Sequence, residues 1–382
     1  MATATRTGRH GLFSSCLLAS VVVLAAAPGL KQSSGPDRAA YDRTVQRAID
    51  YLRLHGQEED GSFSPQLGPG VTGIVLAGAL QTGRVSPNEP WVARGLKYLE
   101  KFVKPDGGIY DKRHDCYTTS VALMAFQAAN RVGRYNTLIA NAQNYLKKIQ
   151  WGADESIDQE DERYGGIGYD SSKRPDLSNT QFALEALVAA GITADDPCLQ
   201  RVVVFLSRTQ NLPGEHNRLP FAEKVSDEDR GGAIYSPWDS KAGPNEATGG
   251  LRSYGSMTYA WLKSMLYAAV DRNDPRIQAA VDWLRRNWSV RENPGMGQVG
   301  IYYYYHTMAK ALATLNEDPF VDTQGVKHAW RVELFEQLGR RQNSNGSWTN
   351  PKDRWYEGDA NLVTGYALMA LSYCKPAEPA SK

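Results

Sequence analysis

Four titratable side chains, Asp115, Asp176, His306 and Asp359, stand at or just before apolar runs of helical spacing. Carboxyls and an imidazole facing one shared cavity are proton donors and acceptors. Six aromatic side chains, Tyr169, Trp261, Tyr302, Tyr305, Trp355 and Tyr356, are the expected lining of that cavity. Their faces suit an apolar or a cationic ligand. Plainer readings stand beside these. Asp176 precedes Leu177-Ser-Asn-Thr and has the chemistry of a helix N-cap. The run Tyr302-Tyr-Tyr-Tyr305 also fits packing between helices, with hydroxyls on loop carbonyls and His306 as a core histidine. Asp154, Glu155, Asp158, Glu160, Asp161 and Glu162 lack the spacing of a calcium loop, so a solvated loop is expected there.

The elements that must position these groups come in pairs. A polar-faced helix, a Gly-rich loop and a small, apolar helix recur six times. The outer members are expected near residues 41–55, 91–103, 138–149, 198–210, 275–288 and from 327 to Gln342. The inner members begin near Thr72, Cys116, Leu177, Ser256, Tyr302 and Leu362. Helices that are apolar all round must be sheathed by other helices, and one such repeat cannot bury its face alone. Six pairs closing on themselves form two concentric rings. Every inner helix then starts at the same end, so residues at those starts converge on one cavity mouth.

Two loops carry a sharper pattern: Gln57-Glu-Glu-Asp-Gly61-Ser-Phe63 and Gln342-Asn-Ser-Asn-Gly346-Ser-Trp348. A Gln, three residues, a Gly, one residue and an aromatic resembles the QW-type signature of the prenyltransferase and squalene-cyclase superfamily. The resemblance implies an all-α (α/α)6 toroid, an isoprenoid or other apolar ligand in its centre, and transferase- or cyclase-like activity.

Proton-initiated cyclases of that superfamily open an inner helix with Asp-x-Asp-Asp-Thr, whose middle Asp protonates the substrate. Laid on Asp176-Leu-Ser178-Asn179-Thr180, the middle Asp falls on Ser178. No serine protonates an alkene, so an acid other than the usual one would be needed. Protein prenyltransferases of the same superfamily hold zinc at inner-helix starts, and His114-Asp-Cys116-Tyr117 and Tyr305-His306-Thr307 are similar to their ligands. Here the two groups fall in opposite hairpins, about 20 Å apart for helices of ordinary width, and zinc needs every ligand near 2 Å. No metal and no cofactor are expected.

Residues 1–27 place Arg6 and Arg9 before an apolar core and Ala25-Ala-Ala27, the pattern of a signal peptide. The expectation is export to the periplasm or exterior, with an N-terminal membrane anchor as the alternative. Residues 28–39 follow as a linker, 40–376 as one toroid domain and 377–382 as a tail. Net charge is +1 with basic residues scattered, which excludes an electrostatic nucleic-acid site. Cys116, Cys198 and Cys374 allow one disulfide and require none. The expected partner is an apolar small molecule, with peripheral membrane contact as a further expectation. Two rival functions remain: a glycosidase or polysaccharide lyase on the same fold, and an interaction module without catalysis.

Overall fold

The computed structural model describes residues 35–154, 157–171 and 174–376. The expected signal peptide, the linker up to residue 34, the tail and Glu155 lie outside them.

Twelve α-helices among the described residues form six hairpins. The outer ones are α1 (Arg38–Tyr51), α3 (Pro90–Glu100), α5 (Asn136–Lys148), α7 (Pro197–Arg208), α9 (Pro275–Arg286) and α11 (Trp330–Arg341). The inner ones are α2 (Pro69–Gln81), α4 (Asp115–Ala129), α6 (Leu177–Ala189), α8 (Gly255–Tyr267), α10 (Ile301–Leu315) and α12 (Ala360–Ser372). Each inner helix packs on the next, and α12 returns to α2, which closes the ring. The chain is an (α/α)6 toroid. A two-stranded hairpin, β1 (Phe320–Val321) with β2 (Lys327–His328), leads into α11. No described helix is long and apolar enough to cross a membrane.

Local chemistry starts these helices where they start. Asp196 and Asp274 precede Pro197 and Pro275, and each caps its helix by accepting from the N–H two residues on, at 2.9 and 2.8 Å. Proline at the first helical position has no N–H to orphan. The inner helices show why small residues dominate them. A Cβ on Gly78 would lie 2.6 Å from the Gly365 carbonyl oxygen, so only glycine lets α2 and α12 approach this closely.

One hydrogen bond sets the register of five hairpins. The loop N–H of Phe63, Ile109, Ile167, Ala233 and Trp348 donates to the hydroxyl of Thr72, Thr119, Thr180, Thr258 and Thr364, at 2.8 to 3.2 Å. The fifth hairpin has no such bond among the described residues.

The QW-type glutamines brace neighbouring hairpins. Gln57 donates to the carbonyls of Gly61 and Trp91, and Gln342 to those of Gly346 and Thr44. Gln150 does the same with Gly165 and Cys198, and Gln210 with Gly231 and Arg276. Those two braces are hidden in the sequence because longer insertions separate glutamine from glycine. Phe63 and Trp348 are fully buried parts of this bracing. Cys116, Cys198 and Cys374 are buried and free.

Candidate functional site

The starts of all six inner helices surround one cavity of about 630 Å³. Gly70 of α2, Thr118 of α4, Ser178 of α6, Met257 of α8, Tyr303 of α10 and Leu362 of α12 each contribute to its lining. The convergence follows from the topology: each outer helix runs back to the far end before the next inner helix begins.

Aromatic faces make the floor. Phe182 meets the ring of Tyr117 edge-on at 5.5 Å and lies 5.8 Å from Tyr303, whose ring meets Tyr366 at 5.9 Å. Beneath this layer His306 stacks between Phe182 and Tyr366, at 5.9 Å from each. Tyr169, Tyr235 and Tyr254 add to the walls, and Trp355, Tyr356 and His114 to the rim. His114, Trp355 and Tyr356 have φ of 60°, 63° and 65°. Left-handed backbone costs side-chain-bearing residues energy, and such strain gathers at ligand sites.

A buried charge cluster joins α6, α8 and α10. Lys263 and Lys310 both donate to the carboxylate of Glu185, and Lys263 also donates to the Gln181 side-chain carbonyl. Burial pushes the Glu185 carboxyl up, but the two ammonium groups outweigh it and hold the carboxyl well below the usual range. Burial brings Lys263 down to about 8 against the pull of Glu185. His306 Nε2 is 3.7 Å from Glu185, and neither ring nitrogen has a hydrogen-bond partner. Burial lowers its pKa to about 3, so the imidazole is neutral at pH 7.

The four acid–base residues read from the sequence do not meet in the cavity. Asp176 caps α6, accepting from the Asn179 N–H at 2.8 Å and from its side-chain amide at 2.7 Å. Burial raises it to about 6 against those two bonds and a third from Tyr235. It borders a second, shallower pocket beyond Tyr235 that also holds Arg174 and Trp238. Asp115 accepts from the Tyr145 hydroxyl at 2.5 Å and from the Ser171 N–H at 3.1 Å, tying α4 to α5 and to the next loop. Asp359 caps α12 through the Leu362 N–H at 2.9 Å. His306 lies under the floor rather than in the lining.

Of the six aromatics read as lining, Tyr169, Trp355 and Tyr356 border the cavity. Trp261 is buried between the rings, its indole N–H donating to the Leu206 carbonyl at 2.7 Å. Tyr302 and Tyr305 turn the same way, and Tyr304 and Tyr305 donate to the carbonyls of Ser289 and Val290. Only Tyr303 of that run lines the cavity, because successive helical residues point about 100° apart. Glu357 also lines it and is buried, accepting from the N–H groups of Tyr302 and Tyr303 at 2.9 Å and from Asn350 at 2.7 Å. Burial outweighs those bonds and raises its carboxyl to about 7. Spacing carries a signal for residues that the sequence reading did not assign to the lining: Ser178 and Phe182, Leu362 and Tyr366 are four apart at the starts of inner helices.

Residues 65–224 match the family model of the squalene-hopene cyclase C-terminal domain. Among solved structures, the chain is similar to a variant of the type II terpene cyclase MstE from Scytonema in complex with geranylgeranyl dihydroxybenzoate. The two share 13% identity at a TM-score of 0.53, over 88% of this chain and 98% of that one. The family-model match and the fold are consistent with the prenyltransferase/squalene-cyclase repeat superfamily. The toroid itself is more widely shared. A family 76 glycoside hydrolase from a bovine Bacteroides thetaiotaomicron strain aligns at 11% identity and a TM-score of 0.52, over 87% of this chain and 77% of that one. An alpha-amylase from Clostridium perfringens aligns at 11% identity and a TM-score of 0.51, over 87% and 97%. Among curated proteins, none matches the chain. Ser178 borders the cavity.

Proposed function

We propose that this toroid binds an isoprenoid or a similarly apolar small molecule in its central cavity, and that it acts without the cyclase acid. The observation that carries the reading is the floor built from the faces of Tyr117, Phe182, Tyr303 and Tyr366. Edges and faces of aromatic rings contact methyl and alkene groups without leaving a polar group stranded. The volume of about 630 Å³ is in the range of small-molecule sites. The complex of MstE with geranylgeranyl dihydroxybenzoate supports the ligand class by analogy of fold.

Alkene protonation needs a strong, freely pointing acid. Ser178 supplies none, and the carboxyls of Asp176 and Glu357 are weak acids raised to about 6 and 7, with oxygens engaged by helix N–H groups and amides. That chemistry favours binding over proton-initiated cyclisation. Export belongs to the same proposal and is supported by the charged, apolar and small-residue sequence of residues 1–27.

The test is displacement of a fluorescent apolar probe from the purified protein by geranylgeraniol, with a maltooligosaccharide in parallel. Displacement by the isoprenoid alone is expected. Displacement by the sugar alone would replace this reading with the carbohydrate one.

A further inference from the structure

We infer that the cavity floor contains a subsite for a hydrogen-bond acceptor, so that the molecule it takes is an oxygenated isoprenoid held oxygen end inward. The inference rests on the apolar-ligand reading and narrows it.

It follows from counting hydrogens along one chain of contacts. Lys263 donates to the Gln181 side-chain carbonyl. An ammonium accepts nothing, so this contact fixes the amide's orientation and leaves its NH₂ to donate to the Tyr303 hydroxyl oxygen, at 3.1 Å. The Tyr303 hydroxyl also shares a hydrogen bond of 3.1 Å with Ser178, and either can be its donor. Two hydroxyls carry two hydrogens. Their mutual bond uses one, and the bond from Gln181 uses neither. One hydroxyl hydrogen is therefore left over, on Ser178 or on Tyr303.

Both side chains border the cavity, and neither has another hydrogen-bond partner among the described residues. The Tyr303 ring lies against Phe182 and Tyr366, and both hydroxyl-bearing residues are half-buried. Once a ligand displaces water from the cavity, a donor left there without a partner is costly. A carbonyl, ether or hydroxyl oxygen on the ligand would accept the spare hydrogen, and a plain hydrocarbon would strand it. The buried cluster behind the floor has a role in this arrangement: Lys263, held by Glu185, orients Gln181, and Gln181 leaves the spare hydrogen free for the ligand.

The counting gives an unusual mutational pattern. Ser178→Ala leaves the Tyr303 hydrogen unspent, and Tyr303→Phe leaves that of Ser178. Only the double variant removes both hydroxyl donors; the Gln181 amide, which then loses its acceptor, is fully buried and is not part of the cavity lining. The experiment compares farnesylacetone, an isoprenoid ketone, with a hydrocarbon of the same carbon number, each displacing a fluorescent apolar probe from the purified chain. The preference for ketone over hydrocarbon should fall by roughly tenfold in the double variant and by less than about threefold in either single one. Circular dichroism confirms that each variant is folded. Independently of any variant, the carbonyl stretch of the ketone should move to lower wavenumber on binding the wild-type protein. An unshifted carbonyl, a preference unchanged in the double variant, or a single variant that loses as much as the double would overturn the subsite. Displacement by neither ligand would instead overturn the apolar-ligand reading, and the subsite with it.

Discussion

The hydroxyls of Ser178 and Tyr303 lie 3.1 Å apart, joining α6 to α10 across the inner face of α8. Two turns deeper, Glu185 and Lys310 join the same two helices, with Lys263 of α8 between them. This half of the ring is held by polar contacts at its centre. The other half, around α2, closes by glycine and small apolar packing.

The cluster of Glu185, Lys263 and Lys310 should be worth little as a set and much when broken. Glu185→Gln leaves two buried ammonium groups without a counter-charge and should cost about 3–5 kcal/mol in denaturant unfolding. Replacing all three by Leu, Met and Met should be close to neutral or stabilising. Equal losses for the single and the triple variant would contradict this account.

His306 should not titrate in the physiological range. Its pKa is depressed to about 3 by burial, so the stability tied to its neutral form is complete above about 6.5 and declines as pH falls below that. Imidazole resonances followed by NMR should stay flat from pH 8 to pH 5. An inflection near 6.5 would return His306 to the acid–base candidates.

Glu357 sets a slope of the opposite sense. Its carboxyl is raised from 4.5 to about 7, so its contribution is complete below about 4.5 and is lost as pH rises through 7, by about 3 kcal/mol in all. Asp176, raised from 3.8 to about 6, adds in the same direction at lower pH. Unfolding free energies at pH 5 and pH 8 should therefore differ less in Glu357→Gln than in the wild type. Equal differences would mean that Glu357 is ionised throughout.

The loop glycines can be ranked by their neighbours. Gly346 and Gly191 share φ near +90°, but a Cβ on Gly346 would lie 2.3 Å from the Arg47 carbonyl oxygen, whereas one on Gly191 would meet nothing within 4 Å. Gly191→Ala should cost about 1 kcal/mol for the backbone alone, and Gly346→Ala at least about twice that. Thermal melts of the two variants decide it, and equal shifts would show that helix α1 moves freely away from the loop.

How far the sequence reached can be traced to particular residues. The six hairpins were legible because inner helices such as 362–371 are apolar on every side, a composition that only a double ring satisfies. The mouth was legible for the same reason, since topology alone gathers the starts of inner helices. The lining was harder. Tyr302, Tyr303, Tyr304 and Tyr305 are identical in kind, and only the rotation of α10 about its own axis, which packing sets, decides that Tyr303 alone faces inward. Carboxylates at helix starts were ambiguous because capping and catalysis ask for the same residue, and Asp176 and Asp359 are caps. Glu185 and Lys263 did carry a signal, as charges inside otherwise apolar helices, which forces them to find each other in the core.

The central claim is that an apolar ligand sits on the aromatic floor. Photocrosslinking of a benzophenone-bearing geranylgeranyl ether to the purified protein, followed by peptide mapping, tests it most directly. Labels on peptides containing Tyr117, Phe182, Tyr303 or Tyr366, competed away by unlabelled geranylgeraniol, are the predicted result. Labelling confined to the outer helices, or labelling that no isoprenoid competes away, would contradict it.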